Sequence, residues 1–241
     1  MKLWGGRMRA VARTETGLVR KTNEDSFFCD EESKLFIVAD GMGGHLAGEV
    51  ASQMAIEAVV NRLKFGNSDP LLKLKDAVEY ANQVIYANSQ GDNRHRGMGT
   101  TLTLALFQDN KLNIAHVGDS RAYLIRNGNI TLLTRDHSFV GELVRSGGIT
   151  KEQALTHPKR NVLMRAVGTN PNIDIDLLEV NVQPNDLVLL CTDGLTNHLP
   201  DEEILHHVLN SQDLQQAIDS MMKAAYSKGA NDNVTILLIQ Y

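Results

Sequence analysis

The chain has 241 residues, of which 42% are hydrophobic and 22% charged, with a formal net charge of -5. This is enough apolar material for a sizeable core in one domain, and the lack of a basic excess excludes nucleic acid as the main partner. No apolar run approaches the roughly 20 residues that span a bilayer, the start lacks the apolar segment of a secretory signal, and Cys29 and Cys191 make no disulfide framework, so a cytoplasmic protein with no membrane partner is expected.

In chain order, residues 9–13, 25–30 and 35–39 read as short strands. A helix is expected over 45–63, where Ala51, Ala55, Val59 and Leu63 recur every four residues beside Ile56 and Val60. After the break at Asn67-Ser68-Asp69-Pro70, a second helix runs to about residue 88. Its apolar face is Leu74, Ala77, Val78, Ala81, Val84 and Ile85. Residues 100–107, 112–117, 122–126 and 130–133 read as strands. Asp109-Asn110 and Asn127-Gly128 separate them, the second being a strong hairpin signal. Residues 136–172 are mixed, with short helices near 139–145 and 151–155, and read as a flap over a site. Ile173, Ile175 and Leu177 alternate, then Leu178, Val180 and Val182 continue on the other parity, which predicts a bulge or a change of face. A buried strand at 187–191, helices at 199–209 and 211–228 and a strand at 234–241 close the chain. The order predicts an α+β fold in one domain, 1–241, with two antiparallel sheets face to face and helix pairs outside.

The chemistry sits at strand ends. Leu35-Phe36-Ile37-Val38-Ala39 runs straight into Asp40-Gly41, and a continuous apolar run reads as a strand buried on both faces. Residues 188–194 repeat the arrangement with Asp193-Gly194. Asp119 ends a third apolar run, and Asp232 precedes a fourth. Alone, an Asp-Gly pair is ordinary turn chemistry. Carboxylates that met at buried strand ends would repel one another and need a compensating cation. Mg²⁺ and Mn²⁺ prefer oxygen ligands and would supply it. Spacing alone leaves convergence open. Upstream, Arg20 precedes Asn23-Glu24-Asp25. An arginine fork suits a phosphate, and the acidic pair suits a metal or its water.

Other motifs fit less well. Gly41 and Gly43 match the first two glycines of a dinucleotide loop, but Leu46 stands at the third, and Asp40 would face the pyrophosphate. Asp174-x-Asp176 resembles the aspartate pair of haloacid-dehalogenase-like phosphatases, yet Asn170-Pro171-Asn172 precedes it where an apolar run belongs. A cysteine phosphatase needs arginine six residues after its cysteine; Leu35 and Asn197 stand there. His116 reads as a satisfied core residue and His206-His207 as solvent-facing, while His45 adjoins the key turn. A phosphoprotein-binding module without catalysis would be expected to lack some of these aspartates.

Six motifs in order resemble the metal-dependent protein phosphatases of type 2C, in the compact bacterial branch. They are Arg20-Lys21-Thr22-Asn23-Glu24-Asp25, Val38 to His45, Gly99-Thr100-Thr101, Val117-Gly118-Asp119-Ser120-Arg121, Cys191-Thr192-Asp193-Gly194-Leu195 and Asn231-Asp232-Asn233-Val234-Thr235. The resemblance implies an αββα sandwich with Mn²⁺ or Mg²⁺ in a cleft at one end. It implies Asp40, the Gly41 carbonyl, Asp193 and Asp232 as ligands of two ions. Asp25 and Glu24 would act through metal-bound water, and Arg20 would hold the phosphate. Asp119 would share a third, weaker ion with Asp193, with Asn161 as a further ligand there. The implied catalytic set is Asp25, Arg20, Asp40 and Asp193. The implied reaction is hydrolysis of phosphoserine and phosphothreonine in proteins by in-line attack of a metal-bridging water, opposing eukaryotic-like Ser/Thr kinases in a bacterium. Animal members carry histidine directly after the Asp-Gly pair. Here that position is Met42, and His45 follows three residues later, so the proton donor to the leaving group stays open between His45 and water.

Overall fold

The computed structural model describes residues 8–43, 47–64, 69–91 and 95–241. Two antiparallel sheets face each other. One has the order β1 (Arg9–Glu15), β11 (Val234–Gln240), β10 (Leu187–Cys191), β7 (Arg121–Arg126), β8 (Asn129–Leu132). The other has β2 (Asp25–Asp30), β3 (Leu35–Met42), β5 (Leu102–Gln108), β6 (Lys111–Val117), β9 (Asp176–Asn181), with β4 (Gly99–Thr100) on the end of β3. Helices α1 (Ala47–Leu63) and α2 (Pro70–Gly91) cover the second sheet. Helices α5 (Asp193–Thr196), α6 (Asp201–Leu209) and α7 (Leu214–Ser227) cover the first. The fold is the αββα sandwich.

The apolar strands follow from this layering. Side chains alternate along a strand, so a strand sandwiched between two layers must be apolar at every position. On β3, Leu35, Ile37 and Ala39 face the helices, while Phe36 and Val38 face the opposite sheet. On β11, Ile236 and Leu238 face α7, and Leu237 and Ile239 face the middle. Phe36 meets Phe107 edge-on at 5.8 Å in the layer between the sheets, a geometry favoured by the ring quadrupoles.

Three local expectations change. The slip at 173–182 is not a bulge: β9 pairs with β6 in unbroken register from Lys111↔Asn181 to His116↔Asp176. Its two parities are its two faces. Ile173, Ile175 and Leu177 pack towards α1 and α2, whereas Leu178 and Val180 face the other sheet. The strand expected over 100–107 is split into β4 and β5, and the helix expected from 199 begins at Asp201, with the unforeseen α5 before it. In the region of the expected flap, α3 (Phe139–Arg145) has no buried residue, and α4 (Lys151–Leu155) starts with a capping box between Thr150 and Gln153. This segment is pinned by bridges Ser138↔Leu163 and Thr100↔Val167.

The isolated histidines and the Asp174-x-Asp176 pair are structural. His116 is buried between Thr103 Oγ1, 2.9 Å from its Nδ1, and the Arg135 carbonyl, 3.0 Å from its Nε2. Asp176 pairs with Arg165 and His137. His206 is exposed, but His207 is half-buried and bonds Ser220. Replacing Phe36 by alanine removes a fully buried ring from the layer between the sheets. The expected cost is about 3–5 kcal/mol, read as a lower urea midpoint with an unchanged slope.

Candidate metal centre

Antiparallel pairing brings the motif ends together. The partners Asp25↔Asp40, Leu102↔Val117, Cys191↔Arg121 and Cys191↔Ile236 place the ends of β3, β6 and β10 beside the starts of β2, β5, β7 and β11. Asp25 and Asp40 are directly opposite on neighbouring strands, where side chains share a face. Asp119 lies in the link from β6 to β7, Asp193 opens α5, and Asp232 precedes β11 by two residues. The charges of Asp25, Asp193, Asp119 and Asp232 all reach Asp40.

The cluster is short of positive charge. Burial pushes Asp25 up to about 7; Asp193 and Asp232 add to the rise, and two threonine hydroxyls oppose it. Burial, then the charges of Asp25, Asp193, Asp119 and Asp232, hold Asp40 well above the usual carboxylate range. Asp119 is raised by burial and by Asp193 and Asp136, with Arg121 opposing. Asp193 is raised by burial and by Asp232. Asp25 Oδ2 accepts from Thr235 Oγ1 at 2.6 Å and Thr192 Oγ1 at 2.8 Å, tying both sheets to one carboxylate. Asp193 Oδ2 accepts from Asn197 at 3.0 Å. Among the described residues, Asp25 Oδ1 and Asp193 Oδ1 are buried with no hydrogen-bond partner. Buried oxygens are normally satisfied, and two orphans among like charges form the donor set that a hard divalent cation completes. Among the described residues no three His, Cys, Asp or Glu side chains close on one ion by themselves. Ions of the Mg²⁺ kind keep several waters and take only one or two carboxylates, so the residues fit such ions.

Backbone approach sets the spacing. A Cβ on Gly41 would lie 2.0 Å from the Gly48 carbonyl oxygen, so only glycine lets β3 run against the first turn of α1. A Cβ on Gly194 would lie 1.9 Å from the Asn233 carbonyl oxygen, so glycine also lets α5 meet the Asp232 loop. The Asp40 carbonyl accepts from Thr101 N–H at 2.8 Å and Thr100 Oγ1 at 2.9 Å, while its N–H donates to Thr101 Oγ1 at 2.9 Å. Arg20 Nη2 donates to Asp232 Oδ2 at 2.8 Å, which brings the expected phosphate ligand into the cluster. The Glu24 side chain packs on Gly48. Its carboxyl is raised by burial and lowered by Arg20. Asn161 is exposed in the turn that follows α4. His45 lies outside the described residues. Neither thiol is poised for attack, since burial pushes Cys191 up to about 12 and also raises Cys29.

With this geometry, the profile of Protein phosphatase 2C matches residues 19–238. The chain is also 40% identical to the serine/threonine phosphatase stp of Listeria welshimeri over 245 residues, covering 97% of this chain and 96% of that one. The chain belongs to the protein phosphatase 2C family. Its fold is similar to that of the Mycobacterium tuberculosis serine/threonine phosphatase PstP/Ppp, with a TM-score of 0.89 at 40% identity, covering 97% of this chain and 98% of that one. It is similar too to the catalytic domain of the serine threonine protein phosphatase PstP in complex with 2 manganese ions, with a TM-score of 0.88 at 38% identity over 97% of each chain.

In this member of the 2C family, some residues that build the site carry no charge. Asn233 is buried; its Oδ1 accepts from Glu24 N–H at 2.8 Å, and its Nδ2 donates to the carbonyls of Thr16 at 2.9 Å and Thr22 at 3.0 Å. Thr192 and Thr235 hold Asp25. The available sequence signal was a threonine at the edge of an otherwise apolar run, as in Cys191-Thr192 and Val234-Thr235-Ile236.

Replacing Thr235 by valine keeps the shape but removes one hydroxyl from Asp25. The expected cost is about 1–3 kcal/mol, measured by urea unfolding. Because the Asp25 carboxyl is raised from 3.8 to about 7, its contribution to stability is full below the unfolded value and lost as pH rises through the folded one. Chelator-treated protein is therefore expected to melt at a lower temperature at pH 8 than at pH 6.5, and added Mn²⁺ to restore the loss. A melting temperature that rises over that interval would count against it.

Proposed function

We propose that this chain hydrolyses phosphoserine and phosphothreonine in proteins, using two divalent cations, Mn²⁺ or Mg²⁺, and a third held more weakly. The observation that carries this reading is the meeting of Asp25, Asp40, Asp119, Asp193 and Asp232 around two unpartnered buried oxygens, with Arg20 in reach. Asp40, the Gly41 carbonyl, Asp193 and Asp232 hold the two ions. Asp119 shares the third with Asp193. When bound, the ions supply positive charge that lowers the pKa of a nearby water and offsets charge on the phosphoryl oxygens.

The chain's own groups do the rest. Arg20 spends a single N–H on Asp232 and keeps its other donors for the phosphate oxygens. Asp25, fixed through Oδ2 by two hydroxyls, keeps Oδ1 to orient the attacking water, and Glu24 assists from the start of β2. No side chain bonds covalently to phosphorus, in keeping with the raised thiols. We read residues 1–241 as a single catalytic unit with a flap at 136–172. Its substrates are phosphorylated proteins, among them a Ser/Thr kinase and that kinase's targets, in the cytoplasm. Among the described residues no helix is long and apolar enough to cross a membrane.

The test is p-nitrophenyl phosphate hydrolysis after chelation, with Mn²⁺, Mg²⁺ and Ca²⁺ restored separately. Turnover is expected with Mn²⁺ or Mg²⁺. Asp193→Asn and Asp232→Asn should each lower it by roughly a hundredfold or more with an unchanged circular dichroism spectrum. Turnover that survives chelation removes the cation assignment. Folded protein inactive with every ion removes the phosphatase reading.

A further inference from the structure

Among the described residues, the two most exposed large apolar side chains are neighbours in sequence: Leu18 at 62% and Val19 at 68%. They immediately precede Arg20. A lone exposed leucine carries little information, but here two exposed aliphatic side chains stand side by side in the chain and lead directly into Arg20. The loop that presents them is not slack. Leu18 N–H donates to the Ala230 carbonyl at 2.8 Å, and Gly17 N–H to Tyr226 Oη at 3.3 Å. Asn233 grips the loop on both sides through Thr16 and Thr22. Arg20 is anchored on Asp232. Backbone held this firmly, with two aliphatic side chains left in water, is a preformed surface and not a disordered edge.

We propose that Leu18 and Val19 form an apolar platform that takes an aliphatic side chain flanking the phosphorylated residue of a protein substrate. This rests on the phosphatase reading above and adds a sequence preference to it. The occupant follows from the neighbours. Arg20 is the phosphate ligand, so a phosphorylated side chain held there brings its own backbone past residues 18 and 19. An extended peptide advances about 3.3 Å per residue, and consecutive Cα atoms are about 3.8 Å apart. The platform therefore meets side chains within about three positions of the phosphoresidue. Asp232, paired with Arg20, disfavours acidic flanks, and the aliphatic side chains of the platform gain only from burying apolar surface. p-Nitrophenyl phosphate has no flanking residues and does not reach it.

The experiment compares Mn²⁺-loaded wild type with Leu18→Ser/Val19→Ser on three substrates. These are p-nitrophenyl phosphate and two phosphothreonine peptides that differ only in carrying leucine or serine at the three positions on each side. Wild type is expected to prefer the leucine peptide about tenfold in kcat/KM, a factor worth about 1.4 kcal/mol. The variant is expected to lose that preference while its p-nitrophenyl phosphate hydrolysis stays within about twofold. A wild type indifferent to the flanks, or a variant that keeps the preference, overturns the platform. An equal fall on all three substrates also overturns it, because the loop then shapes the reaction centre itself. A wild type inactive on p-nitrophenyl phosphate instead fails the underlying phosphatase reading.

Discussion

Everything at the working end of this molecule depends on keeping mutually repelling carboxylates in one place. Burial and like charge both oppose ionisation there, and the raised carboxyls of Asp25, Asp40, Asp119 and Asp193 register the cost. The rest of the fold resists that cost. Asp25 accepts hydroxyls from Thr192 on the β10 side and Thr235 on β11, so one carboxylate of the second sheet is bonded to two strands of the first. Separation of the sheets at this end would break both bonds and leave a buried carboxylate with no donor, the more expensive half of a hydrogen bond's energetics.

The loops are held by close backbone approach more than by side-chain bulk. Gly41 against Gly48 and Gly194 against Asn233 permit contacts that any Cβ would forbid. Asn233 then spends its whole amide on the loop that carries Arg20 and Glu24. The charged groups therefore need few direct bonds of their own, and two carboxylate oxygens stay unpartnered and available. A site whose ligands satisfied one another would be more stable and less able to accept a cation. The aliphatic pair at Leu18 and Val19 extends the same loop towards solvent, which links Arg20, the proposed phosphate ligand, to the surface that a polypeptide substrate would touch.

The segment 136–172 has a different character. Its helix α3 buries nothing, yet its ends are fastened. His137 exchanges two bonds with Gly118, the residue before Asp119. Arg121, two residues after Asp119, forks onto Asp136 at 2.9 and 2.7 Å. The segment that carries α3 is thus joined at its root to the link that holds Asp119.

Layering and chemistry were legible in the residues themselves. A strand buried on both faces has to be apolar throughout, so the runs ending at Asp40, Asp119 and Asp193 disclosed both the sandwich and the strand-end acids, and the ordered motifs named the family. The sequence could not show which supports hold those acids. Thr192, Thr235 and Asn233 are small and polar, and their importance comes from partners about 170 to 210 positions away, as in the Asp25 pairs. The parity change at Leu177-Leu178 has the same lesson, since one strand with two differently covered faces looks like a bulge until both neighbouring layers are known. Local pattern therefore determined most of the elements and marked the acids at the strand ends. Convergence, close approach and the pairing of Arg20 with Asp232 were decided only by the tertiary structure, because each depends on a distance between segments remote in the chain.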